Sequence, residues 1–144
     1  MIAVDTNLLV YAHRKDAPWH PKALELLRGL AEGRAPWAIP WPCVHEFLAI
    51  VTHPRIFDPP TPLPSAFKQV DAWLGSPSLL LLSEPEGYWV ALRGLLEKGQ
   101  ISGALVHDAR VASLCLIHGV EELWSADRDF SRFPPLKHRN PLIA

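Results

Sequence analysis

Asp5, Asp108, Asp127 and Asp129 are acids set against apolar sequence, and that placement points to chemistry. Asp5 follows the short apolar run Ile2-Ala3-Val4, and Asp127 comes soon after Leu123-Trp124-Ser125, so each falls just past the end of an expected strand. Asp108 shares a helical stripe with Val111, Ala112 and Cys115 at i+3, i+4 and i+7, which turns it inward. An ionised carboxylate on such a face is costly unless paired or bound to a cation, and Arg110 lies on another side of the helix. Asp127 and Asp129 stand one residue apart in Ser125-Ala126-Asp127-Arg128-Asp129-Phe130. Carboxylates gathered at one end of a sheet repel one another and raise each other's pKa unless a divalent cation neutralises them. Mg²⁺ and Mn²⁺ favour such oxygen ligands, and a cation held this way activates water and stabilises charge on a phosphodiester under attack. Phosphodiester hydrolysis is the chemistry implied.

Each acid also has an ordinary reading. Asp5 is a good helix N-cap, Asp108 can reach solvent from the first turn of its helix, and Asp127 with Asp129 can form a solvated turn. Glu46 lies nearly opposite the stripe of Val44, Phe47, Leu48 and Val51, so periodicity alone leaves it either an exposed acid or the lining of a flanking cleft.

The elements that must position these acids alternate between strand and helix. Ile2-Ala3-Val4 reads as a strand leading through Asp5-Thr6-Asn7 into a helix, and Ala23, Leu26, Leu27 and Leu30 mark a second helix closed by Gly33. Trp37-Ala38-Ile39 is a short strand, and Pro42 suits the first turn of the helix that carries Glu46 and ends by Pro54. The proline-dense stretch from Pro54 to Pro64 reads as a stiff surface loop and a contact surface. Ala66 to Leu74 and Tyr88 to Leu96 are helical, with Leu79 to Leu82 between them as a strand buried on both faces. Leu105 to His118 is a helix stopped by Gly119, and Glu122 to Ser125 is a last strand before a polar, Arg-rich tail. This alternation implies an α/β fold around a mostly parallel sheet, in which ligands bind where strand carboxyl ends meet.

Bulk composition narrows the classes. A 144-residue chain with 49% hydrophobic residues suits one domain, residues 1–144, with a real core. Fourteen Lys and Arg against 15 Asp and Glu give no basic excess for gripping nucleic acid nonspecifically, so any positive charge for RNA must be local. Cys43 and Cys115 form no disulfide framework or zinc spacing, which fits a reducing interior. No leader or membrane-spanning run is visible, and a cytoplasmic location is expected.

Four segments together resemble the motifs of PIN-domain ribonucleases, and in particular the VapC toxins of bacterial type II toxin–antitoxin systems. They are Ala3 to Ala12 (AVDTNLLVYA), Val44-His45-Glu46-Phe47, His107 to Ala112 (HDARVA) and Leu123 to Phe130 (LWSADRDF), in that order and spacing. The resemblance implies a three-layer α/β/α sandwich and four acids, Asp5, Glu46, Asp108 and Asp127, around Mg²⁺ or Mn²⁺. It brings in Glu46, which periodicity leaves open, and makes Asp129 an additional acid that assists the metal or pairs with an Arg. Thr6, Asn7 and Ser125 resemble groups that orient the carboxylates. It further implies an RNA substrate, a homodimer and a VapB-like antitoxin whose Arg or Lys competes with the metal. Trp19, Trp37, Trp41 and Trp73 are candidates for an antitoxin-binding surface or for core, and Arg128, Arg132, Lys137 and Arg139 for phosphate contacts or a solvated tail.

Rival readings fare worse. His45-Glu46 opens a zinc-protease signature, but Ala49 stands where the second His is needed. Asp5-Thr6-Asn7 resembles an aspartate-nucleophile phosphatase, which needs an acid where Asn7 stands. Two alternatives stay open: a PIN-fold nuclease of RNA processing, and a non-catalytic module that binds RNA or protein.

Overall fold

The structure, a computed structural model, describes residues 1–143, so the final residue of the expected domain, 144, lies outside the described residues. The five strands are β1 (Ile2–Val4), β2 (Trp37–Pro40), β3 (Leu79–Leu82), β4 (Glu122–Trp124) and β5 (His138–Arg139), in the order β3-β2-β1-β4-β5. Every pairing is parallel. Helices α1 (Thr6–His13) and α2 (His20–Glu32) join β1 to β2, and α3 (Trp41–Val51) and α4 (Leu63–Leu74) join β2 to β3. The chain then returns through α5 (Tyr88–Gly99) and α6 (Leu105–Ile117) to β4 on the other side of β1.

This reversal determines where a site can form. Right-handed crossovers that first run outward through β2 and β3, and then back to β4, place their helices on opposite faces of the sheet. The result is the expected three-layer sandwich. The direction changes between β1 and β4, and the loops leaving their carboxyl ends diverge there and open a crevice. Asp5 and the Ser125–Asp127 turn are the residues at that point.

Apolar sequence explains why the sheet stays together. Ala3, Val4, Ala38, Ile39 and Leu123 are buried in the sheet, with Leu8, Leu9, Phe47, Ala112 and Leu114 packed from the helices. Helix α6 is stopped by Gly119, whose φ of 70° lies in the left-handed region that glycine enters without strain. The proline-dense loop is tied down at Thr61, whose backbone N–H donates to the Val51 carbonyl at 2.8 Å and whose hydroxyl lies 3.1 Å from His13 Nε2.

Two expectations fail here. Leu79–Leu82 is not buried on both faces: β3 is an edge strand beside β2, and Leu80 is 49% exposed. An unbroken apolar run does not distinguish a central strand from an edge strand that keeps one open face. Nor is the C-terminal segment a polar tail. Phe130, Phe133, Leu136 and Leu142 are buried, and β5 extends the sheet through Leu123 N–H to the Lys137 carbonyl and Ser125 N–H to the Arg139 carbonyl, both 2.9 Å. Arginine and proline content hid the three-residue spacing of Phe130, Phe133 and Leu136.

Candidate active site

Asp5 stands at the N-cap position of α1 yet makes no capping hydrogen bond with its side chain. Its carboxylate turns into the crevice, where Ser125 Oγ donates to Oδ2 at 2.7 Å, Asn7 Nδ2 to the same oxygen at 3.3 Å and Cys43 Sγ to Oδ1 at 3.5 Å. The capping reading therefore does not account for it. Asp5 is 8% exposed, and burial raises its pKa, with the Ser125 hydrogen bond opposing and the charge of Asp127 adding to the rise.

Ser125 and Asn7 link the two strand ends. Ser125 Oγ accepts from Asn7 Nδ2 at 3.2 Å and from the Asp127 N–H at 3.0 Å, while Asn7 Oδ1 accepts from the Ala126 N–H at 3.1 Å. This network holds the β4 turn against the start of α1. Asp127 in turn caps the short 3₁₀ helix Arg128–Arg132, its Oδ1 accepting from the Asp129 N–H at 2.8 Å. That turn carries Asp129 round toward α6, and Asp108, Asp127 and Asp129 each place a carboxylate oxygen within 4.8 Å of the others.

Asp108 is the electrostatic focus. Burial, followed by the charges of Asp127, Asp5, Asp129 and Glu46, raises its pKa to about 6. Glu46 is an exposed residue of α3, as its periodicity suggests, but its carboxylate reaches back toward Thr6, whose Oγ1 donates to Oε2 at 3.4 Å. Burial and then Asp5 push its pKa up as well. A cleft of about 510 Å³ opens between α3 and α6, with His45, Glu46 and Ala49 on one wall and His107, Asp108 and Arg110 on the other.

Among the described residues, none of the five acids forms an ion pair. Arg110, the nearest cation along the chain to Asp108, is paired with Glu84 at 3.2 Å. Arg128 is exposed beside the acids, whereas Arg132 borders a separate cleft with Lys98 and approaches the Gly99 carbonyl at 3.4 Å. Lys137 and Arg139 are held by Glu122, at 3.6 and 3.0 Å, rather than standing free in a tail. Of the four tryptophans singled out, Trp37 and Trp73 are core, Trp41 is half-buried and Trp19 is exposed. Sequence reasoning missed Cys43 beneath Asp5 and His45 and His107 in the cleft. The two histidines stand directly beside Glu46 and Asp108, which was the available signal.

An all-carboxylate donor set with uncompensated charge fits a hard divalent cation, which requires oxygen ligands and tolerates waters among them. It does not fit zinc in a structural site, since Cys43 is fully buried and its thiol is pushed well up by burial and then by Asp5.

Known proteins share the sequence pattern and the fold. The PIN domain model matches residues 2–135. Ribonuclease VapC43 of Mycobacterium tuberculosis is 38% identical over 142 residues, covering 99% of this chain and 96% of the relative. Ribonuclease VapC25 of the same species is 34% identical over 143 residues, covering 99% and 100%. Among solved structures, VapBC2 from Rickettsia felis, bound to a DNA fragment from its promoter, is similar at a TM-score of 0.64 with 26% identity, over 96% of this chain and 98% of that one. The sarcin-ricin-loop-cleaving toxin VapC20 of M. tuberculosis matches in fold at a TM-score of 0.66 with 15% identity, over 91% and 93%. With the family model spanning nearly all of the chain and full-length relatives above 30% identity, the chain belongs to the PIN-domain family and, within it, to the VapC ribonucleases.

Proposed function

We propose that this chain is a single-domain endoribonuclease and the toxin of a VapBC-type pair, with Asp5, Glu46, Asp108 and Asp127, joined by Asp129, holding Mg²⁺ or Mn²⁺. The observation that carries this reading is the convergence of five acids that form no ion pair among the described residues, three of them with oxygens within 4.8 Å. When bound, the divalent ion supplies a lowered water pKa and charge stabilisation at the phosphodiester. The chain's own residues supply geometry. Ser125 and Asn7 fix Asp5 Oδ2, Thr6 fixes Glu46 Oε2, and the Asp129 N–H fixes Asp127 Oδ1, so that these three carboxylates are held in orientation before substrate arrives. Asp108 is left the least satisfied acid and gains most from a cation.

The partner follows from the same charge. A VapB-like antitoxin that extends an Arg or Lys toward the acids competes with the metal, which is a direct electrostatic route to inhibition. VapC relatives above 30% identity and the VapBC2 complex support a VapB-like partner, and a homodimeric assembly is part of the same proposal. No described helix is long and apolar enough to cross a membrane, in keeping with a cytoplasmic site of action. Arg128 is the basic group best placed to meet RNA phosphate beside the acids.

The test is purified protein incubated with total cellular RNA in Mg²⁺, Mn²⁺ or EDTA, with cleavage sites mapped by end-sequencing. Cleavage in either metal and none in EDTA is expected, and metal-independent cleavage overturns the mechanism. Expression alone should arrest growth and co-expression of a cognate VapB-like antitoxin should relieve it. An innocuous wild type that is still an active nuclease overturns the toxin assignment.

A further inference from the structure

We infer that Trp41 and His45 form a stacking platform for one nucleobase of the RNA, placed beside the acid cluster, and that they hold the base on one side of the scissile bond. The inference rests on the ribonuclease reading above and names how that site grips its substrate. Trp41 is the first residue of α3, directly after β2, and so stands at the same carboxyl edge of the sheet as Asp5 and Asp127. His45 follows one helical turn later, and the two rings stack with centroids 6.1 Å apart and planes 28° from parallel. The core face of α3 is Cys43, Val44, Phe47 and Val51; Trp41 packs half-buried at its margin and His45 lies outside it, exposed. His45 is exposed and lines the cleft next to Glu46, opposite Asp108.

The charge balance gives the platform a purpose. Phosphates approaching five acids are repelled everywhere except at a bound cation, and a net charge of −1 supplies no counterion-release affinity. Arg110, the guanidinium on the cleft wall, is already paired with Glu84. With exposed Arg128, among the described residues, the one unpaired basic group already placed beside the acids, further RNA affinity near the reacting phosphate must come from its bases, and single-stranded RNA offers unstacked bases to aromatic side chains. At about 510 Å³ the cleft lies within the size range of small-molecule sites and admits a nucleotide. His45 lines the cleft, and half-buried Trp41 lies against His45 rather than in the cleft lining; Trp89, 63% accessible and on α5, serves as the control.

The test has a cleavage arm and a binding arm. On a short oligonucleotide spanning a mapped cleavage site, Trp41→Ala raises KM about 10-fold with little change in kcat, His45→Ala raises it less, and Trp41→Phe stays near wild type. A single abasic residue, moved along the substrate, raises the wild-type KM at one position flanking the scissile bond and adds nothing in Trp41→Ala. Trp89→Ala behaves as wild type. In the cleavage-impaired Asp108→Asn background with Mg²⁺ present, anisotropy of a fluorescein-labelled oligouridylate shows the same order of affinities. Should Trp41→Ala misfold by circular dichroism, the exposed His45→Ala carries the test. Unchanged KM and oligouridylate affinity in both variants overturn the platform while leaving the ribonuclease intact. Absent cleavage with Trp41-dependent binding overturns the ribonuclease reading instead and leaves the platform standing.

Discussion

The two ends of β4 treat their carboxylates in opposite ways. Before its carboxyl end, Glu122 is met by Arg139 at 3.0 Å, Lys137 at 3.6 Å and the Trp124 Nε1–H at 2.9 Å. Burial pushes its carboxyl up, but these hydrogen bonds and charges outweigh it and hold the group below its ordinary range. Past the other end, Asp127 joins Asp5, Asp108, Asp129 and Glu46 with no ion pair to any of them among the described residues, and Asp108 is pushed up to about 6. A chain that pairs Glu122 on one side of a three-residue strand has the means to pair acids on the other. Leaving them unpaired is the arrangement expected of a site whose positive charge arrives from outside. It also explains how a protein of net charge −1 can act on a polyanion.

The sharpest way to break the comparison is to remove the least satisfied acid. Asp108→Asn should lower cleavage at least about 100-fold, the scale of losing a main electrostatic contributor to a transition state. Its effect on folding should have the opposite sign. Without metal, the variant relieves repulsion and should melt about 2–4 °C higher, allowing for solvent screening of a partly exposed group. A lower melting point would mean that Asp108 is held by the fold rather than strained by it.

Next in size is the hydroxyl that pins Asp5. Ser125→Ala removes the 2.7 Å donor and the acceptor for the Asp127 N–H, so two acids lose their orientation at once. Metal affinity, read by calorimetry, should fall about 10- to 100-fold. An unchanged affinity would show that Ser125 merely fills space.

What could be read from the sequence divides along the same line. Asp5, Asp108 and Asp127 were legible because strand ends and a helical stripe are local patterns, and the parallel α/β layering follows from the alternation of elements. Glu46 was not, because its role depends on how α3 sits against α1, where Thr6 meets it across 40 residues of chain. Asp129 stood as a secondary acid in sequence, yet the 3₁₀ turn capped by Asp127 brings it into the tightest group of three. The pairing of Glu122 was likewise hidden, since it needs β5, a two-residue strand inside what reads as a polar tail. Register across a sheet is a tertiary fact, and composition obscures it.

The pH response should set the two ends against each other. Asp108 has a folded pKa above its unfolded value, so in the metal-free protein its contribution to stability is fully present below the ordinary value of 3.8 and is lost as pH rises through about 6. Glu122 has the reverse sign: its contribution is present above the ordinary 4.5 and is lost as pH falls through its lowered folded value. Protons and metal compete for Asp108, so below pH about 6 the apparent metal affinity should fall about tenfold per unit, and saturating metal should restore cleavage. A profile insensitive to metal concentration would assign the titration to another group.

The smallest effect tests the paired end. Glu122→Gln frees Lys137 and Arg139, whose side chains are 75% and 56% exposed and can return to solvent, so the cost should be no more than about 1 kcal/mol by urea titration. Arg139 keeps part of its anchorage, since its guanidinium lies 5.5 Å from the Trp124 ring centroid and its backbone carbonyl still accepts from Ser125 N–H. For that reason β5 should stay in register and the Ser125–Asp5 contact should survive. Cleavage should then be unchanged and the alkaline side of the stability profile should keep its shape, with only the acid limb altered. If Glu122→Gln instead slows cleavage, the β5 ion pairs help set the Ser125 turn, and the two ends of β4 form one coupled system rather than two opposed ones.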